Sequence, residues 1–287
     1  MGRSVDLSAL DPNVMSILAK EVYNAMKYGI ENDMIFGTLR DNGVEQDIYE
    51  ISTTQNYELG TGLRTPDGRL YRYSKSSGAC WTGRGAKFMV KMSDGIDFQL
   101  LNASQAIGDS EITFATGTHN AFAADYLKGG LVLISDQDSG DTQDKMVQNR
   151  MCTGNDASLS NAVCKVYLDR PLTRAVTAST YAFVMPSPYA KIAYDTAYYN
   201  SVGGVPPTYI SAANYYFWLQ RVGPVWLASQ GNVGKVDNQR AVVWRHDGSL
   251  DLHLYGTALI TAQQHAGYII DNNYGANGGT FFQLQLE

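Results

Sequence analysis

The pattern of hydrophobic positions changes near residue 50, from a helical spacing to a strand spacing. Asp11-Pro12 is typical of a helix start, with Asp as the N-cap and Pro at the first helical position. The apolar positions that follow share one helical face: Val14, Ile17, Leu18, Val22 and Met26. With Gly29 as a stop, residues 11–29 are predicted to form an amphipathic helix. Such a helix is marginal alone in water, so its apolar face docks on its own domain or on a neighbouring subunit.

Short alternating segments separated by turns follow from residue 57 onward. Residues 57–63 and 69–74 flank the turn Thr65-Pro66-Asp67-Gly68 and predict a β-hairpin. Further strands are predicted at residues 87–92, 98–101, 111–114, 130–134, 147–151, 164–168 and 181–185. After a break at Pro186-Ser187-Pro188, strands are predicted at residues 215–220, 224–229, 239–244, 249–254, 267–270 and 281–286. This spacing of turns is typical of a β-sandwich or barrel.

The whole pattern predicts a mainly β protein, with β-sandwich or barrel-like domains and an N-terminal amphipathic helix arm. We expect the helical arm at residues 1–50, a first β domain at residues 51–188 and a second β segment at residues 189–287. The two β segments are either separate small domains or one domain with an insertion. The composition agrees, since 17% of the 287 residues are charged while 28 Gly and 19 Tyr suit antiparallel strands and turns.

Charge and cysteine usage exclude several classes of partner. A net charge of −6 argues against duplex nucleic acid, which is bound through clustered Lys and Arg. The first residues have no basic region followed by an apolar stretch, so we expect no signal peptide, and the apolar runs are too short to span a membrane. The odd count of widely spaced cysteines predicts free, buried thiols in a protein made in a reducing cytoplasm: Cys80, Cys152 and Cys164.

The search for catalytic or metal-binding chemistry finds no constellation. The histidines lack metal-ligand spacing: His119, His246, His253 and His265. Cys80, beside Trp81, has no obvious basic partner for a nucleophile. The acidic loop with Asp136, Asp138 and Asp141 lacks the Gly and Glu of an EF-hand, which leaves a weak calcium site or a solvated loop open. We therefore predict no catalytic residue, no cofactor and no metal.

Aromatic residues concentrate late in the chain. The group consists of Tyr215, Tyr216, Trp218 and Trp226. Exposed Tyr and Trp form carbohydrate platforms, whereas the same residues are also enriched in cores and subunit interfaces. We favour the interface or core.

At residues 59–73, 106–133 and 212–224, the chain resembles a family of tailed-bacteriophage virion proteins that are encoded near the major capsid protein. Residues 59–73, LGTGLRTPDGRLYRY, look like the "GT…PDGR.YRY" opening of such proteins. Residues 106–133 are similar to their "AIG…VT…G…Y..G.L.V" segment, and residues 212–224 to their "A..YYFWLQ..G" element. The resemblance runs discontinuously from about residue 57 to residue 245 and does not include the predicted helix.

The resemblance implies a non-enzymatic virion structural protein, either a decoration (cement) protein or another head or tail structural subunit. We expect a capsid decoration (cement) protein on the surface of the phage head. Its partners would be the major capsid protein and further copies of itself, with a trimer favoured. The apolar face of residues 11–29 would be the anchor. The alternatives are a head or tail adhesion module that binds carbohydrate, using the late aromatic residues, and a polysaccharide-degrading enzyme.

Overall fold

A computed structural model describes residues 34–36, 45–115, 117, 119–135, 147–197, 200–229, 233, 240–252, 263–270 and 280–287. This part of the chain is mainly β, as predicted. The predicted helix at residues 11–29 lies outside the described residues. The strands are β1 (Met34–Phe36), β2 (Gly62–Arg64), β3 (Leu70–Lys75), β4 (Ala86–Phe88), β5 (Ile96–Leu100), β6 (Glu111–Phe114), β7 (Leu131–Ser135), β8 (Val147–Asn155), β9 (Cys164–Leu168), β10 (Tyr181–Met185), β11 (Ile192–Ala193), β12 (Val202–Gly204), β13 (Tyr216–Leu227), β14 (Ala241–Trp244), β15 (Leu250–Leu252), β16 (His265–Ile269) and β17 (Thr280–Gln285).

The strands form three sheets with antiparallel pairing. The eight-stranded sheet has the order β1-β2-β3-β13-β17-β16-β14-β15 and combines early strands with late ones. The six-stranded sheet has the order β5-β10-β7-β8-β9-β6 and uses only the middle of the chain. A small sheet, β11-β4-β12, contains the remaining strands, and single-turn 3-10 helices lie at Met92–Asp94 and Pro188–Ala190.

The predicted hairpin at residues 57–74 is confirmed as β2 and β3. Its turn is closed by the Thr65 N–H, which donates to the Arg69 carbonyl, and by the Gly68 N–H, which donates to the Thr65 carbonyl. Gly68 has φ +86, a backbone conformation that glycine adopts without strain. Asp67 accepts hydrogen bonds from the Thr65 hydroxyl and from the Arg69 guanidinium. The local Pro-Asp-Gly chemistry therefore fixes the register of these strands.

The two strands predicted at residues 215–220 and 224–229 are one strand, β13, so the predicted division between residues 220 and 224 is wrong. β3 pairs with β13 through Val222, and β17 pairs with it from Val222 to Leu227. Pro224 lies beyond the last β3 partner, and its carbonyl accepts a hydrogen bond from the Gln220 side chain. A proline fits there because no neighbouring strand needs its missing N–H.

The hydrophobic cores follow the sheets rather than the order of the chain. One core cluster draws only on residues 96–184. A second cluster combines Tyr57, Tyr71 and Tyr73 with Trp218, so it joins both sides of residue 188. This arrangement corresponds to the predicted alternative in which the two β segments form one domain with an insertion. The predicted domain boundaries at residues 50 and 188 stay a prediction. Part of the predicted arm at residues 1–50 also belongs to this fold. β1 is a strand of the eight-stranded sheet, Ile48 is a member of the second cluster, and Gln46 is buried.

The six-stranded sheet bends at β8 into two layers around the first core cluster. Residues 147–151 of β8 pair with β7, and residues 152–155 pair with β9. A register shift between Cys152 and Gly154 marks the bend. The first layer is β5-β10-β7-β8 and the second is β8-β9-β6, and both contribute side chains to the same core cluster.

Candidate interaction surface

The first layer of the six-stranded sheet carries an apolar outer face. Alternate residues of its strands, such as Val132, Ile134, Ala182 and Val184, point into the core. The residues between them point outward and are apolar or aromatic, except for Ser135 and Asn149. We call this set the apolar face: Phe98, Leu100, Leu131, Leu133, Ser135, Val147, Asn149, Met151, Tyr181, Phe183 and Met185.

The strand register assembles the apolar face into continuous rows. Met185 lies opposite Leu131, which lies opposite Met151 on the next strand. Leu131, Val147 and Met151 are each about half exposed, at 48%, 49% and 48%. Directly opposite side chains on a sheet are in contact, so the rows of β10, β7 and β8 form one surface without a charged residue. The exposed Asp97 lies at its β5 edge, beside Phe98.

The β5 edge of the apolar face contains a strained residue. Phe98 has φ +37, which is rare for a bulky residue, and lies at an irregularity in the pairing of β5 with β10. Its ring stacks on Phe183 with the ring centroids 6.3 Å apart. The irregularity therefore directs an aromatic ring onto the apolar face, where Phe98 stays 40% exposed.

The outer face of the second layer is polar. Lys165 and Glu111 form an ion pair of 2.9 Å between Nζ and Oε1, and Thr113 lies on the same strand as Glu111. The Tyr167 hydroxyl donates to Asp156 at 2.8 Å. A solvated sheet face normally has such a polar composition. The apolar composition of the first layer is therefore specific to that layer.

The apolar face is as large as the largest apolar patches found on single subunits. Four strands of five residues cover about 19 Å by about 17 Å, or roughly 300 Å². Contiguous apolar patches of this size on single subunits are often functional. Covering it would give about 8 kcal/mol of gross hydrophobic free energy before the costs of association. The apolar face is therefore the strongest candidate for an interaction surface among the described residues.

Trp218, one of the predicted aromatic residues, is in the core. It has no exposed surface, and its ring lies 5.0 Å from each of the Tyr57 and Tyr73 rings. Its indole N–H donates to the Gln46 carbonyl at 2.9 Å. Tyr216 stacks on Tyr73 at 6.1 Å and is partly buried. These contacts place Trp218 and Tyr216 in a structural cluster and not in an open groove.

Gln46 was not singled out in the sequence, yet it holds this aromatic cluster together. Its side-chain amide donates to the carbonyls of Glu50 and Tyr216, both at 2.9 Å, and its Oε1 accepts from the Tyr73 hydroxyl at 2.7 Å. Burial raises the pKa of Tyr57, whose hydroxyl lies beside the Gln46 backbone. No local pattern marks a glutamine for this role, because its partners in the aromatic cluster, Tyr73 and Tyr216, are distant in sequence.

The remaining predicted aromatic residues lie nearer the surface. Tyr215 packs partly buried against the cluster that contains Phe217 and Ile210. Trp226 is 46% exposed, on the opposite side of β13 from that core, and lies opposite the exposed Phe281. A Cβ added at Gly83 would lie 2.3 Å from the Trp226 ring, so this loop lies directly on the indole. The predicted aromatic group is therefore divided between the core and the surface.

A further exposed aromatic cluster was missed by the sequence analysis. Trp81 is half exposed, and its ring lies 5.4 Å from Tyr209 and 6.3 Å from Tyr194. The neighbouring residues Cys80 and Ile210 are joined by mutual backbone hydrogen bonds, which fix the two rings side by side. Because Trp81, Tyr194 and Tyr209 are far apart in sequence, only the fold brings them together.

The cysteines are free and buried, as predicted. Burial raises the pKa of Cys80 to about 12, against the opposing effect of a backbone hydrogen bond from Tyr194. Burial also raises the pKa of Cys152 to about 12. Cys80 is therefore protonated at neutral pH, a state in which a thiol is a poor nucleophile.

The other candidate residues do not assemble into a chemical site. Both His119 ring nitrogens lie 2.6 Å from backbone carbonyls, of Asn120 and Ala162, and its ring stacks on Phe122. Within the described ranges, no group of three or more His, Cys, Asp or Glu residues is placed to hold a metal ion. No helix in the part of the chain that the structure describes is long and apolar enough to cross a membrane. The helix residues Val14, Ile17, Leu18, Val22 and Met26 and the acidic residues Asp136, Asp138 and Asp141 lie outside the described residues.

A cleft of about 360 Å³ is lined by residues from the segments 55–59, 75–77, 125–128, 190–191 and 213–216. Its lysines are engaged: Lys128 pairs with Glu58 at 3.2 Å, Lys191 pairs with Asp94 at 2.6 Å, and Lys75 lies over the Tyr216 ring. Each of these three lysines already has a partner within the protein. The cleft is therefore a weaker candidate for a functional site than the apolar face.

No family model matches the chain, and no curated protein matches it.

Proposed function

We propose that this protein is a non-enzymatic structural subunit of a tailed-phage virion, and that it decorates the head by binding the major capsid protein and stabilising the shell. The observation that carries the proposal is the apolar face, which covers roughly 300 Å² and is apolar where the outer face of a solvated sheet is normally polar. A subunit that works within an assembly has a use for such a surface. The resemblance at residues 59–73, 106–133 and 212–224 supports the same assignment.

The proposal includes several finer features. The antiparallel layers are compatible with the β-sandwich or barrel-like domains expected of such a subunit. Self-association, with a trimer favoured, would repeat modest contacts by symmetry and strengthen binding to a lattice through multivalency. The protein would then be made in the host cytoplasm and reside on the head surface.

The test uses head shells of the phage whose genome encodes the chain. Purified full-length protein is mixed with shells that lack it, pelleted with them, and imaged by cryo-electron microscopy. Regular density on the head lattice and a raised shell melting temperature are the expected results. Absence of co-pelleting and of head density would refute the decoration role. Density confined to tails would move the subunit to the tail.

A matched pair of variants tests the contribution of the apolar face. Leu131→Lys with Met151→Lys places charge on this face and is expected to lower shell binding at least about tenfold, because multivalent binding depends on self-association. Thr113→Lys with Thr153→Lys adds the same charge to the polar second layer and is expected to leave binding unchanged. If both variants bind the shells equally well, the apolar face does not contribute to the proposed function.

Carbohydrate binding is the second candidate, and the cluster of Trp81, Tyr209 and Tyr194 favours it. Exposed, fixed aromatic rings offer flat apolar surfaces to sugar rings. Under this function, the full-length protein binds sugars on a glycan array, and Trp81→Ala abolishes that binding. Trp226→Ala removes an equally exposed indole elsewhere and serves as the control. An empty array with the folded wild-type protein would refute this candidate.

A further inference from the structure

Three of the segments that line the cleft also carry the exposed aromatic rings around Trp81. We call the rings of Trp81, Tyr194 and Tyr209 the Trp81 cluster. Backbone hydrogen bonds hold the three segments side by side, from Ser77 N–H to Ile192, from Tyr194 N–H to Ala79, from Asn214 N–H to Ser76, and in both directions between Cys80 and Ile210. One end of this strip of backbone therefore lines the cleft, and the other end carries the Trp81 cluster.

Small residues occupy the strip between its two ends. Ser77 lines the cleft, and Trp81 lies four residues further along, about 13 Å away in an extended chain. Cys80 and Ile210 belong to the core beneath the strip. The residues between the ends that are not buried are small: Gly78, Ala79, Ser211 and Ala212. No bulky exposed side chain of these described segments therefore separates the cleft from the Trp81 cluster.

A fixed aromatic ring lies in the cleft on the side away from the strip. Tyr126 lines the cleft and is 41% exposed. One face of its ring stacks on Phe122 with the centroids 5.4 Å apart, and Phe122 stacks in turn on His119. The contacts of both His119 ring nitrogens with backbone carbonyls hold this column of rings in place. The second face of Tyr126 is therefore available to a ring that enters the cleft.

The charged groups at the cleft balance in number. The lysines are Lys75, Lys128 and Lys191, and the carboxylates that line the cleft or pair with these lysines are Glu58, Asp94 and Asp125. Such a site gives an anion no net attraction. It offers donors and acceptors side by side, to which the amide side chains of Gln55 and Asn214 add more. Because each sugar hydroxyl can both donate and accept a hydrogen bond, this composition fits a neutral saccharide.

We propose that the Trp81 cluster and the cleft are the two ends of one elongated site for a linear, neutral oligosaccharide. One sugar lies on the Trp81 ring, the chain passes over the small residues of the strip, and a further sugar packs on Tyr126 in the cleft. Aromatic rings offer flat apolar surfaces to sugar rings at both ends. The inference rests on carbohydrate binding, the second candidate function, and adds that the ligand is an extended chain and not a terminal sugar.

The test measures how affinity depends on the length of the saccharide. Calorimetry with the full-length protein uses neutral cello-, malto- and chito-oligosaccharides, from disaccharide to hexasaccharide. In a series that binds, affinity is expected to rise by at least about tenfold once the ligand is long enough to span about 13 Å, because the second contact then adds to the first.

Variants at the far end of the site and on the strip make the test specific. Tyr126→Ala is expected to remove the gain from length, so that a hexasaccharide binds no more tightly than a disaccharide. Ser211→Trp places a bulky ring on the strip at an exposed position and is expected to weaken only the long ligands. Tyr268→Ala removes a tyrosine that is 45% exposed on β16 and is the matched control, with binding unchanged at every length.

Three results would overturn the inference. Equal affinity for short and long ligands, with Tyr126→Ala without effect, would confine the site to the Trp81 cluster and leave carbohydrate binding itself intact. A preference for anionic saccharides over neutral ones of the same length would contradict the balance of charges at the cleft. Absence of binding to every oligosaccharide and to the glycan array would refute carbohydrate binding, and the elongated site with it.

Discussion

Asp247 shows how single residues hold the turns of the eight-stranded sheet. It lies between β14 and β15 and accepts hydrogen bonds from the Ser249 hydroxyl at 2.6 Å and from the Arg84 guanidinium at 2.9 Å. Burial raises the pKa of this carboxyl, but the Ser249 and Arg84 hydrogen bonds outweigh that effect and lower it to about 2. The ionised form is therefore favoured by folding.

Replacing Asp247 with Asn is expected to lower the free energy of unfolding at pH 7 by about 1–2 kcal/mol, after allowance for solvent screening. The carboxylate's contribution is present above its unfolded pKa near 3.8 and is lost as the pH falls through the folded value of about 2. Urea unfolding at several pH values measures the difference between wild type and variant. A difference that stays constant down to pH 2 would contradict this explanation, and the exposed Asp97→Asn is the control.

The two late tryptophans are chemically alike but differ in burial. Trp218→Ala is expected to cost about 3–5 kcal/mol, because it empties the space between Tyr57 and Tyr73 and removes the indole hydrogen bond to Gln46. Trp226→Ala, at a half-exposed position, is expected to cost about 1 kcal/mol. Chemical denaturation measures both values. Similar losses for the two variants would contradict the assignment of Trp218 to the core.

At the scale of the element, a glycine in β16 allows the backbones of neighbouring strands to approach closely. Gly267 in β16 lies opposite Leu284 in β17 and Val242 in β14. It has φ +141, and an added Cβ would lie 1.8 Å from the Gln283 carbonyl oxygen. Only a residue without a side chain fits between these strands.

Gly267→Ala is therefore expected to destabilise the protein by about 3 kcal/mol or more, since the backbone of β17 must move. Gly108→Ala is the matched control, because Gly108 also has positive φ, +99, but its Cβ would meet nothing within 4 Å. Its expected cost is about 1 kcal/mol, from the backbone conformation alone. Thermal unfolding compares the two, and equal losses would show that strain in φ, and not the close approach, dominates.

The strands themselves could be predicted from sequence wherever alternation and turn chemistry agree. The predicted bounds at residues 111–114, 164–168 and 181–185 are those of β6, β9 and β10. β13 was divided wrongly, because Gly-Pro marks a turn locally and only the positions of β3 and β17 reveal that a proline is tolerated. The local sequence therefore predicts where strands lie, but the neighbouring strands determine whether a Gly-Pro pair interrupts a strand.

The candidate site was less accessible to sequence analysis. The apolar runs Leu131–Ser135 and Tyr181–Met185 do carry the signal, since both faces of these strands are apolar. A strand buried on both sides has the same pattern, so the sequence cannot distinguish a core strand from one with an exposed apolar face. The aromatic cluster around Trp218 was likewise assigned to core or interface, and only tertiary contacts with Gln46 and Tyr57 identify it as core.

At the scale of the whole molecule, the chain enters and leaves the six-stranded sheet once. The residues of that sheet's core cluster all lie between Ile96 and Val184. The cluster around Val242, Trp244 and Phe282 draws only on residues after 201. Separate cores with few shared side chains open as separate cooperative units. Unfolding of the middle of the chain can therefore precede unfolding of the eight-stranded sheet.

Two core truncations test this independence. Ile112→Ala and Val242→Ala each shorten a side chain with no exposed surface, one in each core cluster. Native-state hydrogen exchange is expected to show faster opening of β6, β7 and β9 in Ile112→Ala, by about tenfold or more, with β14 and β17 unchanged. Val242→Ala should give the converse pattern. If either substitution accelerates exchange equally in both sheets, the cores are one cooperative unit, and the middle of the chain is not a separable insertion.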